Sequence, residues 1–266
     1  MIRSSGIPAE WLEDWLDAAD HTDRPYGYRD YTEVERPEDA PHRLAAMIRH
    51  AKCDPARLER LLNRVGWLAT SARLRPPRTV QGRHGDFGEV LAIGLIEVTT
   101  SYVVPIIKLR YQMDAEQSLH GTDIVGFLVF GADADRQIDN LEFAEIKVRT
   151  SGKSNAKKSA LEAHNQLATD RTRMFADTID FLSQRLDELD QTLSEAFDAY
   201  LASRDDGPDG DHRIVIVIDV DDFTDEILDN IPDPPQCAPL AVDVVRIAGL
   251  ADLIAETWLF VEDEET

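Results

Sequence analysis

The chain has 266 residues, 43% hydrophobic and 30% charged, a composition suited to one large soluble domain or a modest domain with an appendage. Its 51 acidic residues against 28 basic ones give a formal net charge of −23, which argues against a free-standing nucleic-acid binder, because such proteins gain affinity by neutralising phosphates. No apolar run approaches the ~18–20 residues needed to cross a bilayer. The first residues lack the apolar core of a secretory signal, and Cys53 and Cys237 form neither a C-x-x-C pair nor a disulfide framework. The expectation is a cytoplasmic protein with no membrane partner.

In chain order, "PAEWLEDWLDAADH" places Trp11, Leu12, Trp15, Leu16 and Ala19 on one helical face. Pro25 to Pro41 reads as a polar connector. "PHRLAAMIRHA" and "DPARLERLLNRVGWLATSA" read as helices, the second with Asp54 as N-cap and Pro55 at the first helical position. The Pro- and Gly-containing "RLRPPRTVQGRHG" breaks regular structure. This divides the chain into a small helical N-terminal region over 1–84 and an α/β domain over 85–266.

Within the second region, "DFGEVLAIGLIEVTTSY" has a helical period and places Glu89 in the first turn of a helix starting near Asp86. "VVPIIKLRYQM", "GTDIVGFLVFG" and "LEFAEIKVRT" have strand composition, with "ADADRQIDN" as a polar turn before the last. A helical stretch from about Ser159 to Ala202 follows. "RIVIVIDV" is a buried-type strand, "LAVDVVRI" another, and "GLADLIAETWLFV" a closing helix. The order of elements implies an α/β fold with a central mixed β-sheet flanked by helices.

Two of these strands carry charges that a buried sheet would exclude. Side chains alternate along a strand, so Glu145 and Lys147 share one face and Ile146 and Val148 the other. Asp123 lies in the neighbouring strand candidate between Gly121 and Gly126, which permit close backbone approach. If the two strands pair as a meander, Asp123, Glu145 and Lys147 converge, with Glu89 supplied from the helix. Metal-assisted phosphodiester hydrolysis needs such a set. Carboxylates hold Mg²⁺, with Mn²⁺ as a possible substitute, and a lysine offsets developing negative charge. Each piece has a plainer explanation: E-x-K triplets occur on surface strands, Gly-x-Asp in bulges, and an early helical Glu complements the macrodipole.

"FGEVLAIGLIEV", "LHGTDIVGF" and "FAEIKVRT" together resemble the PD-(D/E)XK nuclease superfamily, and more narrowly the HamA-type effector subunit of the Hachiman anti-phage system. The resemblance covers about 87–167 well and the rest by layout. It implies a restriction-endonuclease-like core, a Mg²⁺-dependent nuclease acting on DNA, and Glu89, Asp123, Glu145 and Lys147 as the catalytic set, with the three acids as metal ligands. The proline of the superfamily name is missing here. The resemblance also implies a superfamily 2 helicase of the HamB type as partner, restraining the nuclease until aberrant DNA is met.

The charge is unevenly spread. Leu61 to Gly85 has no acid but holds Arg64, Arg73, Arg75, Arg78 and Arg83, and a second basic island runs from Lys147 to Arg173. Both are also explained as solvated faces. Arg83, Arg149, Lys153, Lys157 and Lys158 are the nucleic-acid-binding candidates. His84 and His120 flank the constellation and read equally as surface or turn residues, while Gln166 is a candidate supporting residue. Trp11 and Trp15, on an acidic helix, read as core or partner-facing. Three readings stay open beside a DNA nuclease: a DNA-sensing or helicase-regulating subunit without chemistry, an RNase or modification-dependent restriction enzyme, and an interaction module in which Lys147 is a buried salt-bridge partner.

Overall fold

The computed structural model describes residues 5–112, 121–131, 135–152, 156–169, 173–204 and 210–263. The strands described are β1 (Leu16–His21), β2 (Gly27–Glu33), β3 (Ile124–Phe130), β4 (Gln137–Arg149), β5 (Asp211–Asp219) and β6 (Leu240–Ile247). They form one mixed sheet in the order β1-β2-β6-β5-β4-β3, parallel through its centre and closed at each edge by an antiparallel strand. The β-branched "RIVIVID" of β5 is buried on both faces, which is why it takes a central position. Arg213 on β5 pairs with Glu142 on β4 (2.9 Å) and Asp243 on β6 (2.5 Å), tying the central strands by charge as well as by ladder bonds.

Helices cover both faces. On one lie α1 (Leu12–Trp15), α2 (Ala40–Lys52), α4 (Val80–Thr99) and α8 (Leu250–Glu262), whose Trp15, Met47, Phe87, Leu91 and Trp258 are fully buried. On the other lie α5 (Ser159–Thr169), α6 (Arg173–Leu189) and α7 (Gln191–Ala202), packed through Ala160, Ala163, Leu186 and Phe197. Burying each large aliphatic side chain contributes about 1.5–3 kcal/mol. The remaining helix, α3 (Pro55–Leu74), is kinked at Gly66, where φ is 72°. The α/β architecture with a central mixed sheet therefore holds.

Several local expectations are corrected. The "PAEWLEDWLDAADH" helix is one turn, α1, followed by β1, and the polar connector contains β2. Leu12 and Trp15 are buried as a helical face would have them, but from Leu16 onward the chain is an exposed edge strand without apolar alternation. The first core draws on residues from Ile7 to Val261, so the helices of the N-terminal region share it with the sheet. "VVPIIKLRYQM" is not a strand: Val103 makes a single bridge to Phe127, and Lys108–Tyr111 is a 3-10 turn. Residues Gln137–Asn140, expected as a turn, begin β4, and among the described residues the long helical stretch comprises three helices.

Candidate active site

The site forms where β3 ends. Ile124 pairs with Ala144, so β4 runs on from Glu145 to Arg149 held by β5 on one side and by no β3 residue on the other. Asp123, the residue before β3, takes over: its Oδ2 accepts the Ile146 N–H at 3.0 Å. Gly121 precedes it at a φ of 93°, and Thr122 is anchored on both sides. Its carbonyl accepts Lys108 Nζ at 2.6 Å and its N–H donates to Thr178 Oγ1 at 3.2 Å. Glu145 and Lys147 share a face of β4, as alternation requires, with Nζ 3.1 Å from Oε1.

Glu89 arrives from the other side. Helix α4 starts at Val80, where Thr79 Oγ1 caps the Gly82 N–H at 3.1 Å, so Glu89 lies mid-helix and not in the first turn. That correction removes the macrodipole as a reason for its presence, since the dipole acts within the first turn. The adjacent Gly88 lets α4 press onto β4: a Cβ there would collide with Val148 and Ile146. Together with Gln112, Gln166 and the first two turns of α4, these residues line a cleft of about 990 Å³.

The electrostatics are those of an acid cluster short of cations. Burial, then the Asp123 charge, raises the Glu145 carboxyl to about 8, against the pull of Lys147. The Asp123 carboxyl stands against that of Glu145, and Glu145 Oε2 is buried without a donor among the described residues. Glu89 is partly open to the cleft but enclosed by protein elsewhere, and that enclosure, with Asp123 and Asp86, holds its proton affinity well above the usual range. Burial lowers Lys108, opposed by Asp123, Glu89 and Glu145.

The family model for HamA matches residues 10–233, most of the chain. The chain belongs to the HamA family. Membership assigns it a role in Hachiman anti-phage defence. No curated protein matches it. Among the described residues no helix is long and apolar enough to cross a membrane.

In this HamA-family chain the expected catalytic set is brought to one place: Asp123 touches the β4 backbone, Lys147 touches Glu145, and Glu89 lines the same cleft within reach of the Asp123 charge. Arg149 lines the cleft and pairs with Glu162 at 2.9 Å. Arg83 turns away, bonding Pro77 O and Glu262 and stacking over Trp258 at 5.5 Å. Lys157 pairs with Glu226, and Lys158 is exposed. Lys153 and His120 lie outside the described residues. His84 and Gln166 line the cleft, and burial lowers the His84 pKa. Trp15 is buried, with Trp11 stacked on it at 5.2 Å, in keeping with a core reading.

Two partners escaped the sequence reading. Lys108 sits in "VVPIIKLRYQM", read as a strand, yet it fastens the loop that presents Asp123. Lys52 forms a buried 2.5 Å pair with Asp86, one turn before Glu89. A lysine in an otherwise apolar run was the available signal for the first; nothing local marks the second.

Proposed function

We propose that the chain is a metal-dependent nuclease of the PD-(D/E)XK type that hydrolyses DNA phosphodiester bonds as the effector of a Hachiman defence complex. The nuclease-like part is 85–266, its sheet extended by β1 and β2 of the preceding region, and a HamB-type superfamily 2 helicase restrains it until aberrant DNA is met. The observation that carries this reading is the junction at the end of β3. Asp123 is clamped to the β4 edge, Glu145 and Lys147 stand side by side, and all three face an open cleft with Glu89 opposite.

The donor set suits Mg²⁺. It consists of hard carboxylate oxygens, one of which, Glu145 Oε2, is buried without a partner among the described residues. Among those residues no three acidic, histidine or cysteine side chains stand together as a finished metal cage. Mg²⁺ needs none, because it is usually held by one or two carboxylates together with waters and substrate phosphates. Asp123 and Glu145 would hold it, with Glu89 as an outer ligand, and Mn²⁺ fits the same oxygens. When bound, such an ion polarises phosphoryl oxygens and lowers the pKa of coordinated water.

The protein's own groups do the rest. Lys147 places its Nζ beside the site, where it offsets charge accumulating on the phosphoryl oxygens and orients the attacking water. Asp123 cannot drift, because the Ile146 N–H and the Lys108-anchored Thr122 fix its position. Lys108 stands behind the acids, its Nζ held by the Thr122 carbonyl. The test is cleavage of plasmid and linear DNA in Mg²⁺ or Mn²⁺ by wild type and Lys147→Ala, each alone and with the helicase. Metal-dependent cutting that Lys147→Ala abolishes and the helicase restrains supports the reading. Equal cutting by both proteins sinks it, and failure on DNA with cutting of RNA moves the substrate to RNA.

A further inference from the structure

A second cavity, of about 580 Å³, lies behind the active-site cleft, between the end of α2, the start of α3, the Lys108–Tyr111 turn and α6. Gln112 lines both cavities, so the two adjoin. Among the described residues, the lining of the second contains five cations, Lys52, Arg57, Arg75, Arg110 and Arg185, and no acid. In a chain of net charge −23, such a concentration of one sign is not a chance property of the surface.

Among the described residues, part of this charge is held in place without being cancelled. Arg110 donates to the carbonyls of Ser5 at 2.9 Å and His50 at 3.1 Å, which fixes its guanidinium without cancelling its charge. Arg75 donates to the Gln112 carbonyl at 2.9 Å. Arg185 lies over the Tyr111 ring at 4.7 Å and pairs through one nitrogen with Glu188, while its buried Nε finds no acceptor among the described residues. Lys52 is committed to a buried carboxylate, Asp86. Arg57, at the first turn of α3, is exposed at the rim. Guanidinium forks pre-positioned in this way match phosphate oxygens.

We propose that this cavity is a phosphate-binding site that grips the backbone of the substrate strand beside the phosphodiester lying in the active-site cleft. The identity of the strand rests on the nuclease reading; the anion chemistry of the cavity does not. The shared Gln112 sets the two cavities side by side, within the span of one polyanion, whereas an isolated phosphate would leave most of the cation-lined volume unused.

The test is binding, measured apart from cleavage. Fluorescence anisotropy of labelled single-stranded and duplex DNA at low salt compares full-length Glu145→Gln with the same chain carrying Arg57→Glu or Arg185→Gln. Arg43→Glu, on the outer face of α2 and paired with Asp39, is the charge-matched control. Arg57→Glu is expected to weaken binding about tenfold and to lower the salt slope by about 0.7–0.9 per lost phosphate contact. Arg185→Gln should weaken it several-fold, with Arg43→Glu close to unchanged. Competition by inorganic phosphate at concentrations far above those of the oligonucleotide is expected to be weak, and efficient displacement would identify a free-anion site instead. Unchanged affinity in both cavity variants, an equal loss in the control, or no binding by the parent chain would overturn the proposal. Cleavage by the chain with Glu145 intact is scored separately. A wild type that cuts nothing while Arg57→Glu still loses binding removes the nuclease reading alone, and cutting unaffected by the cavity variants removes this proposal alone.

Discussion

At the scale of single residues, Glu145 has the most measurable consequence. Burial and Asp123 raise its carboxyl to about 8, above the value of about 4.3 in an unfolded chain. The folded chain therefore binds this proton more tightly than the unfolded one. The stability it contributes is complete below about pH 4.3 and is lost as pH rises through about 8. In the presence of a chelator, denaturant unfolding of the wild type should show falling stability from about pH 5 to pH 8. Glu145→Gln should flatten that slope and be the more stable protein at pH 8, by a few kcal/mol at about 1.4 kcal/mol per pH unit. Parallel curves for the two proteins would mean that the acid cluster is not strained. Mg²⁺ should restore part of the lost stability in wild type and none in the variant, read as a rise in Tm. Asp123 separates charge from scaffold. Asp123→Asn keeps an acceptor for the Ile146 N–H and should retain the melting temperature while losing cleavage, whereas Asp123→Ala should also lose about 1–3 kcal/mol. The E-x-K pair was legible from alternation alone. Lys108 was not, because its role is to hold a loop that only the folded chain brings near it.

At the scale of elements, the contact between α4 and β4 decides whether Glu89 reaches the site. Gly88 sits against Ile146 and Val148 with no room for a side chain. Gly88→Val should cost about 1–3 kcal/mol by overpacking and should lower cleavage further than the stability loss explains, because it moves Glu89 away from Asp123. Unfolding curves together with activity at a temperature where the variant is fully folded separate the two effects. The sequence carried β4, β5, β6, α2, α3 and α8 through composition, period and capping. It concealed β1, an exposed edge strand whose single buried residue, Leu16, leaves no alternation to read. It also misplaced the start of α4, because Gly82 and Gly85 look like breakers although Thr79 caps the helix before them.

At the scale of the whole molecule, the net charge and the two cavities pull in opposite directions. An envelope of −23 repels a polyanion, while the basic lining behind the acidic cleft attracts one. An effector that must not damage its host DNA gains from weak affinity when free and delivery by a partner. The chain alone should therefore bind duplex DNA weakly at physiological salt, with a steep loss as salt rises, and filter-binding or anisotropy titrations check this. Tight binding by the isolated chain would contradict a partner-delivered effector. The α/β layout was readable from element order, and the candidate site was proposed from three short stretches. The basic cavity was not readable, because its cations come from α2, α3, the Lys108–Tyr111 turn and α6, and only the fold gathers them.

The most direct test of the central claim is strand cleavage of a labelled duplex by wild type and Glu145→Gln, purified identically and assayed in Mg²⁺ and in chelator. A metal-dependent nuclease built on Glu145 cuts as wild type in Mg²⁺ alone and loses about 10²-fold or more as Glu145→Gln, with the variant as stable as wild type or more so. Cutting that survives either the chelator or the substitution would contradict it.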